Sequence, residues 1–360
     1  MKSKKVLITR LCCVGDVVYS IPLIKTIKRN DPDIKITYVV TNWCKQIIEM
    51  VPEIDDIIVF DAPYQKISLL SKLLHSFSLW RKIFLGNYYI GINLHRSIFF
   101  PIIFFFANIK VRIGFGKNIF LNRRVFYDDT LHESKKFLSL LSSFNYKEII
   151  ELPKIFPSEE DKTFVDNLLS KYSIPENNIL VGIYADGGRN PGQIMEIRQL
   201  SSDKYIEFIQ NVLKKYSNIT FLLINSKEGK GNAEKINEAI NNKNCILLSN
   251  LTLKQIAALS EKCKTFIGGD TGILHLAAAT GTKVIMFYGP DNPDQWAPLN
   301  DGNKIIFHLI DCSPCYTPVT VKDKSNFVGN TFICKRGDVL CMKIITVEEI
   351  LDAFEEIISK

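Results

Sequence analysis

Short runs rich in Val and Ile alternate along the chain with longer segments whose apolar residues recur at helical spacing. "KVLITR" (5–10), "IKITYVV" (34–40), "DDIIVF" (55–60), "YYIGINL" (88–94) and "VRIGF" (111–115) read as strands. Between the first two, "VVYSIPLIKTIKR" places Ile21, Ile24 and Ile27 on one helical face. The second half repeats the scheme with "ILVGIYA" (179–185), "ITFLLIN" (219–225), "CILLSN" (245–250), "TFIGG" (265–269) and "KVIMFYG" (283–289). Strands that are apolar on both faces and separated by helices predict parallel sheets covered on each side.

The polar stretch "KYSIPENN" (171–178) is the best linker. The pattern therefore predicts an α/β protein of two doubly wound domains, 1–173 and 174–345, with a C-terminal helix over 346–360. Ligands are expected beyond the carboxyl ends of the strands and in a cleft between the domains. In the final helix Thr346 and Glu349 make a capping box. Val347, Ile350, Leu351, Phe354, Ile357 and Ile358 form one apolar stripe that must dock. No low-complexity segment interrupts the chain, and its halves show no repeat that aligns.

Length agrees with two domains, since 360 residues exceed the roughly 100–200 usual for one. With 46% hydrophobic and 23% charged residues, the composition suits a soluble protein with real cores. The formal charge of +7 suits anionic small molecules, an anionic membrane surface or nucleic acid, and chooses none of them. The start, "MKSKKVLITRLCCVGD", lacks the apolar core and cleavage site of a secretory signal. Nine cysteines without a leader lead us to expect the reducing cytoplasm, where thiols bind metals or simply pack. "SIFFPIIFFFANI" (97–109) is too short to span a bilayer, which takes about 20 residues. It reads first as a buried helix and second as an interfacial segment flanked by Arg96, Lys110 and Arg112.

Three stretches carry candidate chemistry. In "RLCCVGDVVYSIP" (10–22) a strand ends near Arg10, Gly15 turns the chain into a helix, and Asp16 stands at the strand mouth. Asp16 reads either as a plain helix cap or as a general base. In "GGDTGILHLAAATG" (268–281), Asp270 or Thr271 caps a helix and Gly272 lets a ligand near the backbone. Free N–H groups at that helix start suit a phosphate. His275, one turn in, reads as a donor to a diphosphate oxygen or as a satisfied core histidine. "FYGPDNPDQWAP" (287–298) then shapes a loop at the next strand end. In "YADGGRNPGQIMEIR" (184–198), two glycines with Arg189 and Arg198 can cradle an anion. The glycines miss the dinucleotide spacing and no Walker lysine motif occurs, which argues against a nicotinamide oxidoreductase and a P-loop ATPase.

Taken together, "KKVLITRLCCVGDVVYSIPLIKTIKRNDPDIKITYVV", "RIGF", "HESKKFL" and above all "FIGGDTGILHLAAATGTKVIMFYGPDNP" resemble glycosyltransferase family 9. These are the heptosyltransferases of the inner core of lipopolysaccharide and their relatives. The resemblance runs in order over nearly the whole chain. It implies a GT-B fold, two facing Rossmann-like domains around a cleft, with a C-terminal helix that often packs back across the first. It also implies an inverting, metal-independent transfer from a nucleotide diphosphate sugar, often ADP-heptose. Asp16 matches the family's base, and Asp270, Thr271, Gly272 and His275 match its donor motif. Many relatives carry a Lys, then a Trp two residues later, before the helix at 201; Arg198 and Leu200 stand there in this chain. Glu228, in "NSKEGKGNAEKI", is a candidate for the acid that holds the donor's ribose or base. The chemistry agrees: a base takes the acceptor hydroxyl's proton, while a helix start, His275 and Arg198 receive the leaving diphosphate without a divalent ion. On the acceptor side, His95 and Arg96 in "NLHRS" (93–97) stand at a strand end and suit an anionic acceptor such as a phosphorylated or carboxylated sugar. His132 and Glu133, which open a helix with Lys135 and Lys136 behind them, are a second candidate there, against a plain solvated surface.

Cys312-x2-Cys315, then Cys334 and Cys341, fall between the second domain and the last helix. Four thiolates with a tight first pair suit a tetrahedral site, with zinc the default metal and iron the runner-up, against four unrelated thiols. Family members that glycosylate autotransporter proteins carry cysteine-bound iron near this place, which keeps a protein acceptor open. Cys12 and Cys13 are expected to line the turn. The leading expectation is a cytoplasmic transferase, peripheral on the inner membrane, acting on a lipid-linked glycan. A protein heptosyltransferase, a non-catalytic sugar-nucleotide module and a GT-B epimerase of nucleotide sugars follow it. No nucleic-acid partner is expected, and the oligomeric state is open.

Overall fold

The computed structural model describes residues 5–190, 193–225, 231–317 and 320–359. It divides into two compact units, Met1–Phe156 and Pro157–Lys360. In the first, β1 (Lys5–Thr9), α1 (Val14–Asn30), β2 (Lys35–Val40), α2 (Asn42–Ile48) and β3 (Asp56–Val59) build one half of a sheet. Then come α3 (Leu69–Gly86), β4 (Ile90–Asn93), α4 (Phe99–Phe106), β5 (Val111–Phe115), β6 (Arg123–Val125) and α5 (Glu133–Ser139). The strands are parallel in the order β3-β2-β1-β4-β5-β6. The chain thus works outward from β1, returns to its other side at β4, and leaves the switch point between the carboxyl ends of these two strands.

Val6–Thr9 and Ile36–Val40 are buried without a break, as both-sided cover requires. Leu7 and Val39 share one core cluster with Leu79, Ile83, Phe100 and Phe104, so α3 and α4 cover the same sheet face. Within 97–109, Phe100, Pro101, Ile103 and Phe104 are buried while Phe105 and Phe106 are exposed. This stretch is a core helix with one open end, the first of its two readings. No helix among the described residues is long and apolar enough to cross a membrane.

The second unit begins with α6 (Glu159–Leu169), β7 (Ile179–Tyr184), β8 (Gly188–Asn190), β9 (Gln193–Met195), α7 (Ser202–Lys215) and β10 (Ile219–Ile224). It continues with α8 (Asn232–Ile240), β11 (Cys245–Leu248), α9 (Leu253–Lys262), β12 (Thr265–Gly269), α10 (Gly272–Ala279) and β13 (Lys283–Tyr288). Last come α11 (Pro293–Trp296), β14 (Lys304–Phe307), β15 (Phe327–Val328), β16 (Thr331–Phe332), α12 (Leu340–Lys343) and α13 (Val347–Ile358). Its main sheet has the order β11-β10-β7-β12-β13-β14, which puts the switch point between β7 and β12. A small sheet, β15-β16-β9-β8, joins the loop after β7 to the cysteine-bearing segment.

All ten expected strands are present, within two residues at their ends. The added strands β6, β8, β9, β14, β15 and β16 are two to four residues long and too short to show a period of two. The division falls at Phe156/Pro157 rather than at residue 173, because α6 packs on α9 and pairs Lys262 with Asp166 at 2.5 Å. The expected capping box of Thr346 and Glu349 is formed. The stripe of α13 docks on α7, with the rings of Phe354 and Phe208 edge to face at 5.5 Å. The last helix therefore closes the second unit's core, whereas the family resemblance implied packing across the first domain.

Candidate active site

In the first unit the chain leaves β1 through Arg10, turns at Cys12 and Cys13, whose sulfurs are paired, and enters α1. Asp16 is the third residue of that helix. Its Oδ2 accepts from the backbone N–H of Cys13 at 2.9 Å and pairs with Arg10 Nη2 at 2.8 Å. Asp16 therefore does cap the helix, and it also faces a cation in a setting where both side chains are only 16% exposed. A second Arg10 nitrogen, Nη1, donates to the carbonyl of Leu94 at 3.2 Å, tying the β1 end to the β4 end across the switch point.

His95 follows β4. Its Nε2 accepts from the backbone N–H of Leu11 at 2.9 Å, which assigns the ring proton to Nδ1. Burial, and then the charge of Arg10, hold this imidazole well below its usual range, so it is neutral. His95 thus fixes the loop after β1, where the sequence suggested a contact to an anionic acceptor. Arg96 is exposed and lies over the ring of Tyr127 at 4.5 Å.

Glu133 and Lys136, at the start of α5, pair at 3.2 Å with each side chain only 2% exposed. This corrects the expectation of a solvated helix start. Packing of α5 on α1 puts these residues inside, and His132 meets Tyr19 edge to face at 5.1 Å. Tyr127 donates its hydroxyl to Glu133 Oε2 at 3.2 Å. Burial, then the charge of Asp16, push the Glu133 carboxyl upward against Arg10 and Lys136. Burial draws the Arg10 guanidinium down, but Asp16 and Glu133 outweigh it and hold it above its usual value. Two carboxylates and two cations thus share one enclosed site at the β1–β4 switch point. Sequence reasoning found Asp16 and missed its charged neighbours, for which the only local signal was an Arg at the strand end.

In the second unit Asp270 leaves β12 and Thr271 caps α10. His275 Nε2 lies 2.8 Å from Asp270 Oδ1, with both side chains buried. Burial works to raise the Asp270 carboxyl, but Arg198 and His275 prevail and hold it below its usual range, so Nε2 donates to a carboxylate. The expected donation from His275 to a diphosphate thus competes with a bond the protein already makes.

Arg198 closes a tight turn (Glu196–Arg198) and binds Asp291 Oδ1 at 2.6 Å, Asp270 Oδ2 at 3.5 Å and the Asp270 carbonyl at 3.2 Å. It also lies over the ring of Tyr316 at 5.0 Å. Two buried carboxylates share this one guanidinium, and burial raises Asp291 to about 7 despite it. Asp291 stands in the shaped loop after β13, a residue the sequence offered no role.

The double glycine before Asp270 serves the protein. A β-carbon on Gly268 would lie 2.4 Å from the Tyr184 carbonyl, and one on Gly269 would lie 2.3 Å from the Arg198 carbonyl. Only bare backbone lets β7 and the Arg198 turn pass so close. Among the described residues, Thr271 Oγ1, Arg198 Nε and Asp291 Oδ2 are buried without a hydrogen-bond partner. Buried polar atoms left unpaired cost stability, and a bound ligand is one remedy. Glu228 lies outside the described residues.

The four cysteines lie within range of each other's charge. Burial first, then neighbouring thiols, push Cys315 and Cys341 up to about 11. Cys312 is exposed and Cys341 buried. Among the described residues, no three His, Cys, Asp or Glu side chains converge closely enough to hold a metal. The donor set suits zinc or iron, but the side chains as placed do not form a coordination shell.

Two doubly wound units, each with a charged cluster at its switch point, have the architecture of the GT-B fold. Residues 198–325 match the family described as glycosyltransferase family 9 (heptosyltransferase). The lipopolysaccharide core heptosyltransferase OpsX of Haemophilus influenzae is 24% identical over 84% of this chain and 84% of its own. Two solved structures share the fold over 99% of this chain and 98% of theirs. They are a family 9 glycosyl transferase from Veillonella parvula (TM-score 0.79, 18% identity) and the E. coli ADP-heptose lps heptosyltransferase II (TM-score 0.74, 19% identity). The chain is a glycosyltransferase that resembles family 9 in sequence over residues 198–325 and shares the fold of these structures over nearly its whole length.

Proposed function

We propose that this enzyme transfers heptose from ADP-heptose to a sugar of a lipopolysaccharide core or related lipid-linked glycan, with inversion and without a catalytic metal. The observation that carries the reading is the set of unpaired buried polar atoms of Thr271, Arg198 and Asp291 around the start of α10. There the helix N–H groups and the Arg198 guanidinium offer an anion site in place of a divalent ion. The names of the relatives supply the sugar and the nucleotide.

In the reaction the acceptor hydroxyl oxygen attacks the anomeric carbon as the bond to the diphosphate breaks. The diphosphate departs with the bonding electrons, and Asp16 takes the hydroxyl proton. Among the described residues the hydrogen bond and the ion pair of the Asp16 carboxylate both fall on Oδ2, so Oδ1 is the oxygen assigned to that proton. Arg10, paired with Oδ2, holds the carboxylate in place. Asp270, Thr271, Gly272, His275 and Arg198 form the donor site, with Asp270 orienting the imidazole; Glu228 is assigned to the ribose or base. Arg96, exposed at the β4 end, is the acceptor contact, and His95 holds the loop beneath it. A structural zinc or iron at Cys312, Cys315, Cys334 and Cys341 is a separate proposal, supported by the donor set and its spacing in the sequence, and no step passes through it.

Thermal unfolding against a panel of sugar nucleotides tests the donor. ADP-heptose at a hundred times its Kd adds about 2.7 kcal/mol of stability, a readily measured rise in Tm. No shift with ADP-heptose, together with a shift from a UDP, GDP or CMP sugar, overturns the donor assignment.

A further inference from the structure

An amphipathic surface helix normally turns its apolar stripe inward. α3 does the reverse. Leu69, Leu70, Leu73, Leu74, Phe77 and Phe84 follow helical spacing along one stripe, and each is between 49% and 75% exposed. Only Leu79 and Ile83 reach the core. Trp80 binds the stripe together, its ring 5.2 Å from Phe77 and 5.6 Å from Phe84. Exposed Phe105 and Phe106 lie on the neighbouring helix α4 and extend the surface. An exposed apolar face of this extent marks a place of contact.

Charge says what covers it. Between Asp61 and Asp128 the chain has ten Lys and Arg residues and no Asp or Glu. The whole chain carries a formal charge of +7, so its basic excess resides in this one segment. Lys66, Arg81 and Lys82 are exposed on and beside α3, and Lys110, Arg123 and Arg124 are exposed farther along. A leucine-rich helix face in a segment that holds cations and no carboxylate complements an anionic lipid surface.

We infer that the outward face of α3, with the open end of α4, docks the enzyme on an anionic membrane leaflet and sinks its Leu and Phe side chains among the acyl chains. This goes beyond the reading of the site, because docking depends on neither the donor nor the sugar moved.

The test is flotation of the full chain with phosphatidylcholine vesicles, with and without phosphatidylglycerol. The parent should float with the anionic vesicles, progressively less as salt rises, and stay behind with phosphatidylcholine alone. The triple variant Leu73→Ser, Leu74→Ser, Phe77→Ser should bind anionic vesicles about tenfold or more weakly. It should keep the parent's Tm and its turnover of a water-soluble acceptor, since all three side chains are exposed. Lys66→Glu with Lys82→Glu should weaken binding and flatten the salt dependence. The inference is overturned if the parent ignores anionic vesicles or if the triple variant floats as well as the parent. A parent dimer that the triple variant dissolves, without change in flotation, would assign the face to a second copy instead. Flotation needs no substrate, so its failure leaves the donor reading standing, and failure of the donor test leaves flotation interpretable.

Discussion

Replacing Asp16 with Asn keeps an oxygen able to accept from the Cys13 N–H and removes the negative charge. The change therefore separates the helix-capping duty of this residue from its chemistry. Two costs are expected. A positioned general base contributes roughly 10²–10⁴-fold, which is about 3–5 kcal/mol of barrier at 1.36 kcal/mol per tenfold. The fold also loses the counter-charge 2.8 Å from Arg10. Removing one partner of a fully buried pair costs about 3–5 kcal/mol; here slight exposure and the nearby Glu133 reduce this to about 1–3 kcal/mol.

Steady-state release of ADP, matched to sugar transfer, should show kcat reduced by at least about a hundredfold. Calorimetric affinity for the donor should be unchanged. Adding Arg10→Met to Asp16→Asn should recover much of the lost stability, because no buried cation is left unpaired, but none of the activity. A kcat for Asp16→Asn within about threefold of the parent would refute the assignment of the base. A fall in donor affinity as large as the fall in kcat would move Asp16 to the donor site.

Two further outcomes follow from the second unit. Asp291, raised to about 7, keeps its proton in the fold at pH values where the unfolded chain has released it. Stability should therefore fall as pH climbs from about 4 to 7, by at most about 1.4 kcal/mol per pH unit for this one proton, and Asp291→Asn should remove that slope. Denaturant midpoints across that range give the answer, and an unchanged slope in the variant refutes it. Elemental analysis of the purified chain should find about one zinc or iron, lowered by Cys312→Ser with Cys341→Ser. Equal metal content in parent and variant would dismiss the four-cysteine site.

Much of the architecture was legible because fully buried parallel strands betray themselves as unbroken Val and Ile runs, as in "ITFLLIN" and "KVIMFYG". The strand mouths, and with them Asp16 and Asp270, could be located for the same reason. The small sheet of β8, β9, β15 and β16 could not, since strands of two or three residues carry no pattern. Nor could the environment of "HESKKFL" be read locally. A Glu and Lys three apart look solvated in any isolated helix, and only the packing of α5 against α1 buries them.

By itself the sequence determined two doubly wound units, the capped final helix and the residues at two strand ends, all of which follow from local periodicity and turn chemistry. The tertiary structure decided partnership. It joined Asp16 to Arg10 and Glu133, gave one guanidinium to Asp270 and Asp291, turned His95 into a neutral brace and faced the leucines of α3 outward. These outcomes depend on which elements meet and on how much water their meeting excludes. Burial and charge pairing act between residues far apart in the chain, where no local pattern records them.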